Sequence, residues 1–409
     1  MLTNPMKYVP LPITRIETGK PLPVHVWDAK GNLLLRKGQT INSEQHREAL
    51  TAHQACLTEG DYRAWVRSYD RLVYDLLRDN VSIQQIARAT MPDTILDVDY
   101  VVGHEVSGGW LDLQAVLGGI LVQGETAQNP LERLEGVQKR ATQLLEEDAD
   151  DCLFSMFQAL AELSLGYCAT HALLVAAACE LTARKMDMAA VVRPVLFRAA
   201  LTMNISMAEE QNTLARQTVK PDTAQRQLIK DHAGKSAAIL RGFGEVTSDL
   251  IDIVSLHHDR DESRGLARNL ECRRILRMAD EFVAGIAARS SRPGLSAIGA
   301  AKKTVMSSVG EEARVGAAMT AALGFYPPGT YVRLVNGEVA VSARRGTAAN
   351  TPLVVTIISA QGAALGTYLA RNTREKAFAI HSPVGPDSVK LRVNAPRVFK
   401  ALQKLPNIS

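Results

Sequence analysis

The chain has 409 residues, enough for two or three domains, and 46% of them are hydrophobic while 22% are charged. This composition is typical of a folded protein and excludes a largely disordered one. The formal net charge of +4 is small, and no dense run of lysine and arginine is interleaved with aromatic residues, so nucleic acid is not an expected partner.

Neither a signal peptide nor a membrane span is predicted. The N-terminal stretch MLTNPMKYVPLPITRIETGK lacks a continuous apolar core. The most apolar stretch runs from Leu163 to Cys179, contains His171, and is bounded by Glu162 and Glu180, which is typical of a buried helix. The five cysteines form no CxxC pair, so no zinc ribbon or disulfide framework is expected. A cytoplasmic protein is the expectation.

Residues 1–60 are predicted to form a small β-containing module. The stretch VHVWDAKGNLLLRKGQTI has two apolar runs on either side of a turn cluster at residues 28–32, which favours a hairpin. Ser43 precedes Glu44 and the stretch QHREAL, a pattern that predicts the start of a short helix.

Residues 61–150 are predicted to form a helical connector. Asn129-Pro130 is a suitable start for its last helix, since proline fits the first helical position. The acidic cluster at residues 146–151 is expected to end that helix and to cap the next one, because carboxylates suit a helix N-terminus. Apolar residues at helical spacing define the buried face: Leu131, Leu134, Val137, Ala141 and Leu144.

The rest of the chain is predicted to comprise a helical core at residues 151–325 and a β appendage with a tail at residues 326–409. In the appendage, TYVRLVNGEVAVSARRG consists of two alternating runs joined by Asn336-Gly337, a strong hairpin signal, and PLVVTIIS is a further strand. The predicted fold class is therefore mainly α, with a helical-bundle core between two small β-containing segments.

Four of the nine histidines lie in the predicted helical core: His171, His232, His257 and His258. Taken singly, each is a weak signal, because a lone histidine on an apolar helix is more often a hydrogen-bonded core residue than a metal ligand. Adjacent helical residues such as His257 and His258 also point about 100° apart. The order of these histidines and the segments around them carry more information.

Those segments resemble the HD-GYP domains of the HD superfamily of metal-dependent phosphohydrolases. YCATHALLVAAACELTARKM resembles the family's first ligand helix, with His171 on its histidine. DHAGKSAAIL resembles the H-P-x-x-G-x-x-I-L segment and places His232 on the next histidine. SLHHDRDESRGLA aligns on H-H-E-x-x-D-G-x-G-Y-P, with His257 and His258 on the paired histidines. RRILRMADEFVA places Asp280 on the last metal-ligating aspartate.

The resemblance covers about residues 152–345, ending in LGFYPPGTYVRLVNGEVAVS, which is typical of the end of such domains. It implies an HD-like helical bundle. The family's central HDxGK motif is missing, however, because LTMNISM supplies Met203, Asn204 and Met207 at its histidine, aspartate and lysine.

The paired-histidine motif departs from the family as well. Of the GYP trio Gly265 alone remains. The substituted positions are Asp259 for glutamate, Ser263 for glycine, and Leu266-Ala267 for the tyrosine and proline.

These substitutions fall on the most demanding positions of a two-metal hydrolase. Such an enzyme needs two metals that share a hydroxide, and a carboxylate that bridges them. Asn204 is neutral and offers no anionic bridge. Met203 is a soft thioether and a poor ligand for hard Mn²⁺ or Fe, and Met207 has no charge for a phosphate. No catalytic residue is therefore predicted, and phosphodiester hydrolysis is not the favoured function.

The resemblance implies that the two metal sites are damaged unequally. One would use His171, Met203, Asn204 and Asp280, and half of that set is lost. The other would use His232, His257 and His258, which are all present, and three imidazoles can hold one metal with an open position. The expected cofactor is one divalent metal (Fe, Mn or Zn) or none. Without a metal, the histidines would be hydrogen-bonded to Asp252, Asp259 or Asp280.

The leading functional hypothesis is a bacterial signalling protein that acts by binding cyclic di-GMP, a related nucleotide or a signalling protein. The alternatives are an active cyclic di-GMP phosphodiesterase with substituted ligands and an adaptor without a small ligand. Gly265 and nearby basic residues are the predicted ligand contacts, the basic ones being equally compatible with solvated helix surface: Lys235, Arg260, Arg264, Arg273 and Arg274.

Overall fold

The computed structural model describes residues 8–28, 32–78, 82–86, 89–95, 109–127, 129–304 and 308–405. The chain divides into two compact units, residues 1–108 and 109–409. The middle of the predicted N-terminal turn, residues 29–31, and the first seven residues of the N-terminal stretch lie outside the described residues.

The first unit is a small antiparallel sheet packed against helices. Its core contains the buried Trp65, whose indole Nε1 donates a hydrogen bond to the carbonyl of Pro92 at 2.7 Å. Ser43 Oγ accepts from the backbone N–H of His46 and caps the predicted helix. Within the described residues the strand order is β1-β4-β2-β3. The elements are β1 (Tyr8–Pro10), β2 (Val26–Trp27), β3 (Leu33–Leu35), α1 (Glu44–Ala52), β4 (Cys56–Thr58), α2 (Glu59–Arg78) and α3 (Ile83–Ile86).

The second unit is built mainly from helices. They are α4 (Trp110–Gln123), α5 (Pro130–Leu160), α6 (Tyr167–Lys185), α7 (Arg193–Thr202), α8 (Ala208–Arg216), α9 (Thr223–Gly242), α10 (Ser248–Leu256), α11 (Leu270–Ile286), α12 (Ala297–Thr304), α13 (Gly310–Leu323) and α14 (Ala395–Leu402). Helix α6 is buried on all sides because α5, α7, α11 and α13 pack around it. None of the described helices combines the length and apolarity needed to cross a lipid bilayer.

Helix α5 breaks at Asp148, as the acidic cluster predicts. The backbone of Asp148 is extended (φ −160°, ψ 93°). Its Oδ1 accepts hydrogen bonds from the backbone N–H groups of Asp150 and Asp151 at 3.1 and 3.0 Å. Arg344 Nη1 also donates to this oxygen, at 2.6 Å. Asp148 therefore caps the second half of α5 and ties it to the C-terminal sheet.

Replacing Asp148 with alanine is expected to lower the free energy of unfolding by about 1–2 kcal/mol, the usual cost of losing an N-cap. Asp148→Asn keeps a cap oxygen and loses only charge, so its cost should be smaller. Glu147→Ala is the matched control, since that neighbouring side chain is 63% exposed. Urea unfolding measures all three variants. Equal costs for the alanine variants at 147 and 148 would contradict the capping role.

The C-terminal sheet contains the predicted hairpin and strand and is larger than they suggest. Asn336-Gly337 joins β5 (Tyr331–Leu334) to β6 (Val339–Arg344), and Gly337 has a φ of +87°. The predicted third strand is β7 (Leu353–Ile358). Also present are β8 (Ala364–Asn372) and β9 (Ile380–Val384), and the described residues form an antiparallel sheet ordered β8-β7-β6-β5-β9. The predicted fold class, mainly α with small β-containing segments, is confirmed.

Candidate metal centre

Three of the predicted metal ligands come together in the helical core. His232 lies on α9, and His257 and His258 follow directly at the end of α10, which packs against α9. One ring nitrogen from each of the three lies within 4.8 Å of the others. His232 and His257 are buried, whereas His258 is exposed. The fold thus places an imidazole cluster at the junction of two helices.

The hydrogen bonds of this cluster fix which nitrogen carries the proton. His232 Nδ1 lies 2.6 Å from the carbonyl oxygen of Ile229, and His257 Nδ1 lies 2.7 Å from that of Val254. A carbonyl oxygen only accepts, so each Nδ1 donates its proton. In the neutral rings each Nε2 therefore presents a lone pair.

The two Nε2 atoms face each other at 3.3 Å. Two lone pairs at this distance repel each other unless a proton or a cation lies between them. Zinc–nitrogen bonds of about 2.0–2.1 Å in a tetrahedral site place neighbouring nitrogens roughly 3.3–3.4 Å apart. A backbone carbonyl on the other ring nitrogen is also the usual way in which a histidine ligand is oriented. The geometry of His232 and His257 therefore fits a metal ion.

Burial favours the neutral form of both rings. Burial first, and then repulsion from the protonated forms of His258 and His232, lower the pKa of His257 to about 3. Burial also lowers the pKa of His232, an effect that its hydrogen bond to Ile229 opposes. Neutral imidazole is the form that coordinates metals.

His171 forms hydrogen bonds with Asp280 and Tyr167 and is not one of the three clustered histidines. Its Nε2 lies 2.7 Å from Asp280 Oδ1, and its Nδ1 lies 3.4 Å from the hydroxyl of Tyr167, which in turn accepts from Arg289 Nη2 at 3.3 Å. The consistent arrangement is that Arg289 donates to the hydroxyl of Tyr167, which donates to His171 Nδ1. His171 Nε2 then donates to Asp280. His171 Nε2 is thus a donor to a carboxylate and does not present a lone pair.

Asp280 connects this chain of hydrogen bonds to the histidine cluster. Its Oδ2 lies 3.8 Å from His258 Nε2. Burial raises the pKa of the Asp280 carboxyl, but the hydrogen bond from His171 and the attraction of the neighbouring imidazoles outweigh it and hold the pKa well below its ordinary value.

Tyr167 and Arg289 were not predicted from the sequence as members of this site. Tyr167 lies one helical turn before His171, which is a usable sequence signal, whereas nothing in the sequence marks Arg289.

The substituted motif lies beside His232. Met203, Asn204 and Met207 are buried between α7 and α8. In the same segment, Ser206 Oγ donates to the carbonyl of His232 at 2.9 Å. Two thioethers and a neutral amide are therefore buried in the segment predicted to correspond to the HDxGK motif.

Two of the carboxylates considered as partners for metal-free histidines have other roles. Asp252 accepts from the backbone N–H of Leu266 at 2.8 Å and from Asn269 Nδ2 at 3.0 Å. Asp259 pairs with Arg264. Within the described residues, Asp280 is the one of the three predicted carboxylates that contacts the histidines.

The backbone conformation and the close packing at position 265 both favour glycine. Its φ is +75°, and a Cβ there would lie 2.3 Å from Asp252 Oδ1, 2.4 Å from Leu256 Cδ1 and 2.8 Å from Arg273 Nη1. Arg273 is buried, and its Nη1 donates to the carbonyl of Arg264 at 2.7 Å. The glycine thus lets the loop after His258 close onto a buried polar network, and its predicted ligand contact stays a prediction.

The basic residues predicted to contact phosphates are paired with carboxylates. Lys235 Nζ lies 3.8 Å from Asp231. Arg274 Nε donates to Glu262 at 2.8 Å. The Lys235–Asp231 pair is an ordinary surface ion pair, whereas the Arg274 side chain is only 12% exposed. Arg260 has two partners, at 3.2 Å from Glu281 and 3.6 Å from Glu312, and Arg264 pairs with Asp259.

No family model matches this sequence, and no curated protein does. Among solved structures, the chain is similar to Bd1817, an HDG"Y"P protein from Bdellovibrio bacteriovorus, with 14% sequence identity and a TM-score of 0.39. The similarity covers 76% of this chain and 98% of that chain. It is too distant to assign a function.

Proposed function

We propose that this chain binds one divalent transition metal through His232, His257 and His258 and acts as a binding protein on a degenerate HD-GYP-like core. The main support is the pair of Nε2 atoms at 3.3 Å, because both rings have committed their Nδ1 protons to backbone carbonyls. A bound cation would remove the repulsion between the two lone pairs. Three imidazoles suit zinc or ferrous iron and leave a fourth position open.

A second metal is not part of the proposal. Asn204 carries no charge with which to bridge two cations, and the hydrogen bonds through Tyr167 commit His171 Nε2 to donate to Asp280. A single bound metal would supply a Lewis-acidic position for a phosphate oxygen or water. Without the bridge and the second metal, binding of a phosphodiester is favoured over its hydrolysis.

Cyclic di-GMP is the proposed ligand, on the grounds of the ordered motif resemblance over residues 152–345. The protein would then work in cytoplasmic bacterial signalling, as a receptor for the nucleotide or as a contact for a signalling protein. At a ligand concentration a hundredfold above the dissociation constant, the nucleotide should stabilise the fold by about 2.7 kcal/mol, a shift that thermal melts resolve readily.

The test compares the wild-type chain with the variant Met203→His with Asn204→Asp. Elemental analysis should give about one metal per chain for the wild type and a higher content for the variant, which regains an imidazole and an anionic bridge, if the second metal displaces the proton that His171 Nε2 donates to Asp280. Cyclic di-GMP should bind to the wild type without turnover, and the variant should gain hydrolysis with Mn²⁺ or Fe²⁺. Met203→Leu with Asn204→Ala is the control, since it changes the same positions without adding ligands.

Each result discriminates between the hypotheses. A wild-type chain that takes up no metal refutes the metal centre. Cyclic di-GMP turnover by the wild type, lost on changing His257, establishes an active phosphodiesterase instead. A chain that binds metal but shows no thermal shift with cyclic di-GMP is not its receptor, and the protein-contact role then remains.

A further inference from the structure

Positive charge is concentrated near the C-terminus of the chain. No acidic residue follows Asp387, and the whole chain has a formal net charge of only +4, so the remainder is close to neutral. Residues 390–404, here called the basic stretch, contain five cations: Lys390, Arg392, Arg397, Lys400 and Lys404. Such a local excess of one sign is a feature that an anionic partner can recognise.

The five cations of the basic stretch are free to meet a partner. All five residues are exposed, and within the described part of the chain no carboxylate pairs with any of them. The arginines of the neighbouring sheet behave differently, because Arg344, Arg345 and Arg371 pair with Asp148, Asp150 and Glu338. The basic stretch therefore keeps its positive charge uncompensated.

Helix α14 presents part of this charge as one row. Its apolar face is already covered, because Val398 and Ala401 are buried in a cluster with the sheet, and the Phe399 ring lies 5.3 Å from that of Phe154. On the solvent side, cations recur at three- and four-residue intervals, so they follow one another along the helix. They are Arg397, Lys400 and Lys404, the last in the turn that closes the helix. The row spans roughly 10 Å.

An exposed leucine lies among these cations. Leu391 stands between Lys390 and Arg392 in the chain and is 36% exposed. Its neighbours Val389 and Val393 pack on the same hydrophobic cluster as α14, which fixes this segment beside the helix. Cations around an exposed leucine suit a bilayer surface, where headgroups are anionic and the region beneath them is apolar.

A nucleic acid is a poorer fit to the basic stretch. Single strands are held by aromatic rings on which the bases stack. Phe399 is the one aromatic residue of the stretch, and it packs on Phe154 inside the cluster. A bilayer surface needs no such ring, because its charge attracts the cations and its interior accepts the leucine.

We propose that the basic stretch binds the surface of a lipid bilayer that contains anionic headgroups. Lysine and arginine form charge-assisted hydrogen bonds with headgroup phosphates, and the row on α14 can meet a flat surface all at once. Leu391 adds an apolar contact at the headgroup boundary. This contact would hold the chain at a membrane without a spanning helix, and it does not depend on the proposed metal centre.

Sedimentation of the full chain with vesicles tests this proposal, the two membranes being phosphatidylcholine alone and phosphatidylcholine mixed with phosphatidylglycerol. Binding is expected with the anionic mixture only and should weaken as salt is added. Arg397→Gln, Lys400→Gln and Lys404→Gln combined should weaken it roughly a hundredfold, since each cation near an anionic surface contributes roughly fivefold. The control removes the same charge from three exposed residues without a carboxylate partner among the described residues, each changed to glutamine: Lys139, Lys220 and Arg241.

Leu391→Ser should weaken binding to the anionic vesicles several-fold, because it removes the apolar contact. Val219→Ser is its control and should leave binding unchanged, since Val219 is 68% exposed and lies outside the basic stretch. Absence of binding to the anionic vesicles overturns the proposal. Equal weakening by the two triple variants overturns it as well, because that result reflects overall net charge. Duplex DNA bound as tightly as the anionic vesicles, together with no effect of Leu391→Ser, identifies a general polyanion site and also overturns the lipid assignment.

Discussion

His257→Ala is expected to lower metal affinity by roughly 100- to 1,000-fold, a larger loss than the roughly 10- to 100-fold typical of residues that only orient the ligands. His257 is fully buried, and its Nε2 faces that of His232 at 3.3 Å. Without it, two ligands remain, one of which, His258, is partly exposed. Metal content after dialysis and competition with a chromophoric chelator measure the change.

His381→Ala is the control for this prediction, because His381 is an exposed histidine of β9. His257→Asn separates loss of the ligand from loss of the fold, since its amide can replace the hydrogen bond to Val254. In the metal-free state both His257 variants should unfold cooperatively. Metal affinity unchanged by either variant would rule out His257 as a ligand.

Gly265→Ala is expected to destabilise the protein by about 2–5 kcal/mol, the sum of a backbone cost and the cost of one buried polar group that loses its partner. A left-handed backbone costs a non-glycine residue about 1–2 kcal/mol. The added Cβ would also lie 2.3 Å from Asp252 Oδ1 and 2.8 Å from Arg273 Nη1, so this buried network must shift. Buried polar groups that lose their partners cost about 1–3 kcal/mol each.

Gly362→Ala isolates the backbone contribution. Gly362 has a similar φ of +84°, and no atom lies within 4 Å of the position that an added Cβ would take. We expect it to cost about 1–2 kcal/mol, the strain of the left-handed region alone. Urea unfolding of both variants gives the difference. Similar costs at the two positions would show that the contacts around Gly265 contribute little to stability.

The sequence predicts features that depend on local pattern. The break of α5 at Asp148 follows from acidic residues that cap helices, and the β5–β6 hairpin follows from Asn336-Gly337. The proximity of His232, His257 and His258 follows from a family resemblance, since no local rule brings α9 against α10. In these cases the determining residues are adjacent in the chain, or their order matches a known pattern.

Features that depend on side-chain direction could not be predicted. The Nδ1 atoms of His232 and His257 each bond a carbonyl three residues earlier, a choice made by rotamer and helix packing. The ion pair between Arg277 and Glu312 joins α11 to α13 across 35 positions of the chain, and no local pattern indicates it. Strand β8 was not predicted. It lies at the exposed edge of the sheet, so its sequence lacks the regular alternation of buried and exposed residues that marks a strand.

The contact between His171 and Asp280 has a structural role that does not depend on a bound metal. Their bond joins α6 to α11 inside the bundle, and removing either partner leaves the other polar group without its neighbour in a buried place. The stability of the fold can therefore preserve this histidine-aspartate pair whether or not it binds a metal. A comparison that counts such pairs as metal ligands by residue type alone would misread this one, because it holds two helices of the fold together.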